Sequence, residues 1–114
     1  MGKEKIELSK SIIASLALEI WRLWRLIEIS ENHSYPLSLQ FSIKKMKDIF
    51  NNQGGDFIDL TGELYDAGMA VDILDTEGEK FKEEQTLIIK EMIAPIILFH
   101  NEILMHGQVI LECR

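Results

Sequence analysis

The chain has 114 residues, 46% of them hydrophobic, which excludes an intrinsically disordered protein and fits one small domain or one domain with a helical extension. Its 12 basic and 19 acidic side chains give a formal charge of −7, and we expect no nucleic-acid partner because nucleic-acid binding usually needs a basic face. Cys113 is the only cysteine and the first residues lack the pattern of a secretory signal, so we expect a cytoplasmic protein.

The first apolar segment predicts a helix from about Lys5 to Ile29. Isoleucines recur there every seven positions, and two leucines follow at a spacing of three. This heptad pattern favours a parallel, two-stranded coiled coil. Four charged residues interrupt the run and argue against a membrane span. We therefore predict a homodimer through Ile6, Ile13, Leu16, Ile20, Leu23 and Ile27. The alternative is that this segment is the core helix of a monomer.

A second helix is predicted after the polar break at residues 30–36. Pro36 suits the first turn of a helix, and Ser34 is a plausible cap before it. The helix is expected to reach about Asn52, with an apolar stripe formed by Leu39, Ile43, Met46 and Phe50. The glycine pair Gly54-Gly55 then ends it, because glycine adopts the left-handed conformation that often follows a last helical turn.

Beyond Gly55 the apolar pattern changes to short runs separated by turns. Residues 69–74 alternate as a partly buried strand does, and a turn is expected around Gly78. Two β-branched runs follow, separated near Pro95, and two more strands close the chain. The sequence therefore predicts an α+β protein: a dimerising segment of two helices in residues 1–55 and a small all-β domain, a sandwich or open barrel, in residues 56–114.

Charge is distributed unevenly along the chain. Residues 56–84 carry ten acidic and two basic side chains, whereas residues 1–55 carry eight basic and six acidic ones. The negative charge therefore lies at the junction of helices and strands and in the predicted first β-hairpin. Like charges at this density repel one another unless they are solvated or paired. A solvated loop face and a docking surface for a basic partner both remain open.

The sequence carries no motif for catalysis or for a metal. The acid-rich segment around Gly78 fails the EF-hand pattern, because Ile73 stands where the first calcium ligand belongs. The three histidines are too few and too separated for a recognisable zinc site. No glycine-rich loop before a helix and no nucleophile elbow is present. We therefore expect a protein that is not an enzyme and needs no cofactor or metal.

Three stretches resemble a known family. "SIKKMKDIFNNQGGDFID" is similar to a segment in which an amphipathic helix ends before a glycine and a short acidic strand. "DLTGELYDAGMAV" resembles an Asp-Pro-x-Gly-x-x-Phe-Asp-Pro segment that continues to His-Glu-Ala-Val, and "EILMHGQVIL" resembles a closing Gly-Tyr-x-Leu-Asn-Gly-Arg-Val-Leu strand pair. Over about residues 38–111 the chain is similar to GrpE, the nucleotide exchange factor of bacterial Hsp70. The matching positions are Asp59, Gly62, Tyr65, Asp66, Ala70, Val71, Leu104, Gly107, Val109 and Ile110.

The resemblance implies a cytoplasmic adaptor whose β-domain binds an Hsp70-type ATPase and promotes release of ADP. It implies partner-binding residues at the helix-to-strand junction and in the first hairpin: Gly54, Gly55, Glu63, Asp66, Gly68 and Met69. Three departures leave a second hypothesis open. The His-Glu pair is replaced by a shortened Ala67-Gly68-Met69, Gln108 replaces an arginine, and the first helix is shorter than the family's paired stalk. The alternative is a non-catalytic subunit of another multi-protein assembly, such as a bacterial stress or defence ATPase.

Overall fold

The computed structural model describes residues 6–29, 35–78 and 86–113, and it confirms the predicted α+β class. Within these ranges two helices come first and six strands follow. The helices are α1 (Lys10–Ile29) and α2 (Leu37–Asn52). The strands are β1 (Gly55–Ile58), β2 (Val71–Glu77), β3 (Leu87–Ala94), β4 (Ile96–Phe99), β5 (Glu102–Met105) and β6 (Gly107–Cys113). The predicted cap Ser34 lies outside the described residues.

The start of α1 near Lys5 is wrong, because the helix begins at Lys10. Ser9 explains the difference. Its hydroxyl oxygen accepts a hydrogen bond from the Ile12 N–H at 3.3 Å, and its carbonyl oxygen accepts one from the Ile13 N–H at 3.1 Å. A serine in this role is the N-cap, the residue directly before the first helical one. Ile6, the first residue of the predicted dimer seam, therefore precedes α1 and is not part of it.

α2 ends at Asn52 as predicted and begins directly after Pro36, which takes the capping position and not the first turn. At the other end, Gly54 has a φ of 100° and its N–H donates to the carbonyl oxygen of Asn51 at 3.1 Å. Glycine adopts this left-handed conformation without strain. The turn directs the chain from α2 straight into β1.

The strands form two three-stranded sheets. In the first sheet the order is β1–β4–β5, and both pairs are antiparallel. In the second sheet the order is β2–β6–β3, with β6 parallel to β2 and antiparallel to β3. The strands on either side of the turn expected around Gly78, β2 and β3, do not pair with each other, because β6 lies between them. From its central place β6 supplies Val109 and Leu111, both almost fully buried, to the core.

The outer edge of β3 is covered by the loop that precedes β2. Gly62 and Tyr65 donate backbone hydrogen bonds to the carbonyl oxygens of Ile89 and Leu87, each at 2.8 Å, and Ile89 donates to Glu63 at 2.9 Å. Unpaired strand edges tend to associate with other chains. The loop therefore protects one edge of the second sheet and is itself fixed in place.

The described part of the chain has two hydrophobic cores. The first lies in the β-part and consists of Ile89, Met92, Ile96, Val109 and Leu111. Pro95 is buried between β3 and β4, where the chain passes from the second sheet to the first. The break predicted near Pro95 is confirmed. Its physical reason is that proline has no N–H to donate a hydrogen bond to a neighbouring strand.

The second core joins the helices to the first sheet. Ala17 of α1, Phe50 of α2 and Ile97 of β4 are its buried members. Arg25 adds a polar link, because its guanidinium donates to the carbonyl oxygen of Met92 and lies 3.4 Å from the Glu91 carboxylate. The predicted division into residues 1–55 and 56–114 stays a prediction, but this core contains residues from both sides of it.

Phe50 and Gly55 contact each other where α2 leads into β1. The Phe50 ring packs at 5.0 Å from the Phe57 ring and at 6.0 Å from the Phe99 ring, measured between centroids. A Cβ added at Gly55 would lie 2.3 Å from the Phe50 ring, which is well inside van der Waals contact. Glycine at this position therefore lets the aromatic cluster reach the start of the sheet.

We expect Gly55→Ala to destabilise the fold by about 1–3 kcal/mol, the usual cost of overpacking a dense core. Gly68→Ala is the matched control, because its added Cβ would have no neighbour nearer than 3.8 Å, and we expect a change within about 0.5 kcal/mol there. Thermal unfolding followed by circular dichroism measures both. Equal melting temperatures for the two variants would contradict the packing assigned to Gly55.

Candidate functional site

The predicted dimer seam lies on one flank of α1. Its inward face is formed by Ala14, Ala17 and Trp21, which are the buried residues of this helix. Of the seam residues in the helix, Leu16 is 58% exposed and Leu23 39% exposed, while the three isoleucines of α1 are half-buried. Because the two alanines have small side chains, α1 packs closely against the rest of the fold on this inward face. The larger seam side chains therefore lie beside the packed face and not within it. About half of the seam is left to solvent.

An apolar groove of about 480 Å³ runs beside this seam. Ile13, Leu16 and Ile20 of α1 form one wall, and Ile49 and Phe50 of α2 form another. Ile6 and Leu8, which precede α1, complete the groove and are themselves exposed. The structure thus brings four of the six predicted seam residues, Ile6, Ile13, Leu16 and Ile20, to one surface; Leu23 and Ile27 do not line the groove.

The exposed flank of α2 extends the same surface. Leu39, Met46 and Ile49 are exposed and spaced by seven and three residues, so they lie on one side of the helix. Large apolar patches are rare on monomers and usually mark an interaction surface. The apolar stripe predicted for α2 is therefore divided, with Ile43 and Phe50 buried and Leu39 and Met46 exposed.

The predicted partner-binding residues fall in two separate places. Gly54 and Gly55 lie at the α2–β1 junction, where added Cβ atoms would meet the His100 and Phe50 rings respectively. Glu63, Asp66, Gly68 and Met69 lie in the loop that covers β3.

The loop positions differ in what they offer a partner. Glu63 and Asp66 are exposed, and the Asp66 carboxylate accepts a hydrogen bond from the Gly68 N–H at 3.1 Å. Met69 is half-buried and packs against the first core. The carboxylates of this loop are therefore open to a partner, whereas Met69 serves largely to attach the loop to the sheet.

The acidic side chains of β2 are partly balanced by neighbouring basic groups. Lys90 of β3 forms an ion pair with Glu77 of β2. The hydrogen bond to the Glu77 carboxylate, followed by the charge of that carboxylate, raises the pKa of the Lys90 ammonium above its usual value. His106 lies 3.5 Å from the Asp72 carboxylate. In residues 56–78, the acidic side chains without a basic partner among the described residues are Asp56, Asp59, Glu63, Asp66 and Asp75.

A pocket outside the predicted site lies where α1, α2 and β1 meet. It has a volume of about 220 Å³ and is lined by Trp21, Trp24, Glu28, Lys47, Asn51, Asp56, Phe57 and Asp59. None of these is among the predicted site residues. Two tryptophans three positions apart on one helix could have pointed to it, but the pocket also needs α2 and β1, whose approach the sequence does not specify.

The described residues contain neither a group of metal ligands nor a helix that could span a membrane. In residues 6–29, 35–78 and 86–113, no three histidine, cysteine or acidic side chains are grouped so as to hold a metal ion. Neither helix of this part of the chain is long and apolar enough to cross a membrane.

No protein-family model matches the chain, and no curated protein matches it.

Proposed function

We propose that this protein is a non-enzymatic adaptor that dimerises through its helices and binds a protein partner through its β-rich part. The observation that carries the proposal is the exposed apolar surface shared by α1 and α2. Leu16 and Leu23 on α1 and Leu39, Met46 and Ile49 on α2 are all exposed, and leaving this much apolar side chain in water is unfavourable.

A second copy of the chain is the proposed cover for this surface. The heptad spacing of α1 is the pattern that pairs with itself in two-stranded coiled coils. In addition, a chain of this length has a small core, and association of two copies commonly stabilises such domains. The seam residues that remain exposed are then the ones that the second copy buries.

An Hsp70-type ATPase is the proposed partner, on the strength of the GrpE resemblance. In the proposed mechanism the β-part binds the open form of the ATPase better than the closed form, and this difference in affinity accelerates ADP release. A rigid β-part suits that mechanism. The second core and the Arg25 link to β3 attach the β-part firmly to the helices, and the Glu63–Asp66 loop presents exposed carboxylates.

The alternative is a subunit with the same design that serves another assembly. The feature that favours it is Gln108, which lies in β6 and is paired with Asp72 at the place where the resembling family has an arginine. A changed residue on the proposed binding part is expected if the partner differs. The single cysteine fits a reducing compartment, and both versions of the proposal place the protein in the cytoplasm.

Dimerisation through the helices predicts that Leu16→Asp/Leu23→Asp weakens self-association by about a hundredfold or more, because each buried leucine contributes about 1.5–3 kcal/mol. Both residues are exposed in the single chain, so the variant should keep its fold. Light scattering coupled to size-exclusion chromatography gives the mass, and circular dichroism checks the fold.

The matched control for the seam is Leu37→Asp/Phe41→Asp. Both side chains are 67% exposed on α2, and they belong neither to the α1 seam nor to the exposed α2 flank of Leu39, Met46 and Ile49. This variant should remain dimeric. A monomeric wild-type protein, or equal dissociation of both double variants, would contradict dimerisation through the seam.

Exchange activity predicts that the protein accelerates release of fluorescent ADP from a bacterial Hsp70. If the acidic loop steers binding, the acceleration should fade at higher salt, because screening weakens attraction between exposed charges. Glu63→Gln/Asp66→Asn should slow association several-fold at low salt. The asparagine keeps an oxygen that can accept the hydrogen bond from the Gly68 N–H, so this variant separates charge from the turn.

Asp72→Asn/Asp75→Asn is the control for that variant, because it removes the same charge from β2. It should change association less than the loop variant does. No acceleration of ADP release by the wild-type protein would contradict the exchange proposal and favour the alternative assembly. Equal effects of the two double variants would show that net charge, and not the position of the loop carboxylates, determines the association rate.

A further inference from the structure

The pocket between α1, α2 and β1 combines aromatic walls with acidic side chains. Trp21 and Trp24 of α1 and Phe57 of β1 supply the aromatic lining. Glu28, Asp56 and Asp59 supply three carboxylates. Lys47 is the one basic residue in the lining, so the pocket carries an excess of negative charge.

An ammonium group already lies on the aromatic wall of this pocket. The Lys47 Nζ sits 4.4 Å from the centre of the Trp24 ring, within the range at which a cation is attracted to an aromatic face. In the described part of the chain no carboxylate forms an ion pair with this ammonium. A cation–π contact at a partly exposed site is weak, so another cation can compete with this ammonium for the ring.

The carboxylates retain capacity to bind a cation. One oxygen of Glu28 accepts a hydrogen bond from the Trp24 indole N–H at 2.6 Å, which fixes both side chains on α1. One oxygen of Asp59 accepts hydrogen bonds from the N–H and hydroxyl of Thr61. A carboxylate has two oxygens and several acceptor sites, so each of these groups is oriented by its own chain and still able to accept a further hydrogen bond.

We propose that this pocket binds a cationic side chain, lysine or arginine, from a protein partner, and that Lys47 occupies the site until the partner displaces it. A ring face with neighbouring carboxylates suits an ammonium or guanidinium group, because the ring attracts the charge and the carboxylates accept its hydrogen bonds. The volume of about 220 Å³ accommodates one extended side chain. This inference does not depend on the proposed exchange activity, since a basic side chain on any partner would satisfy it.

The test uses intrinsic fluorescence, because both tryptophans of the chain line this pocket. The full chain is titrated at constant ionic strength with N-acetyl-lysine methylamide and N-acetyl-arginine methylamide. N-acetyl-norleucine methylamide is the neutral probe of similar length. We expect saturable fluorescence changes with one or both cationic probes and none with the neutral probe.

Removing the internal cation gives the sharpest prediction. Lys47→Met should raise affinity for the cationic probes about two- to fivefold, the factor that corresponds to one exposed cation–π contact. Lys44→Met, which removes the same charge from an exposed position of α2, should leave affinity nearly unchanged. If Lys47→Met does not fold, Lys47→Gln takes its place. Asp59→Asn should weaken binding severalfold.

The opposite results would overturn the proposal. They are an unsaturable response to the cationic probes in both the wild type and the Lys47 variant, an equal response to the neutral probe, or an equal gain in the Lys44 variant. In the first two cases Lys47 and Trp24 would be only a structural contact between the helices. In the third the effect would reflect net charge and not this site.

Discussion

The packing of Phe50 against Gly55 determines how the two halves of this molecule are arranged. Phe50 is the α2 member of the core that also contains Ala17 of α1 and Ile97 of β4, and it reaches the sheet only because Gly55 has no side chain. Gly54 turns the chain at the same point with a positive φ. Both helices therefore lie against the first sheet, and their remaining apolar side chains are left on the outside.

The distribution of charge follows from this arrangement. Residues 1–55 carry eight of the twelve basic residues and the 56–84 stretch carries ten of the nineteen acidic ones, and α2 leads directly into β1. Contact between the two regions places Lys47 in one pocket with Asp56 and Asp59 without an ion pair to either, while Lys90 of β3 pairs with Glu77 of the acidic stretch. Part of the acidic charge is thus balanced inside the molecule, and the carboxylates of the Glu63–Asp66 loop remain exposed.

Local patterns predicted most elements, whereas contacts between distant residues escaped prediction. The end of α2, the break at Pro95 and the closing strand depend on capping, on missing donors and on alternation, which neighbouring residues determine. The parallel pairing of β2 with β6 is not determined by neighbouring residues, because it joins Val71 to Gly107 across the intervening strands. The aromatic pocket was missed for the same reason, since Trp24 and Lys47 meet only after the helices have packed.

The groove and the pocket lie on different sides of α2, whereas on α1 they adjoin each other, with Ile20 in the groove and Trp24 in the pocket. On α2 the groove is lined by Ile49 and Gln53 and the pocket by Lys47 and Asn51. Positions two apart on a helix point in nearly opposite directions. A dimer formed over the groove therefore leaves the α2 wall of each pocket, with Lys47 and Asn51, uncovered. A partner that presents two suitably spaced basic side chains would then gain affinity from simultaneous binding, without any additional contact.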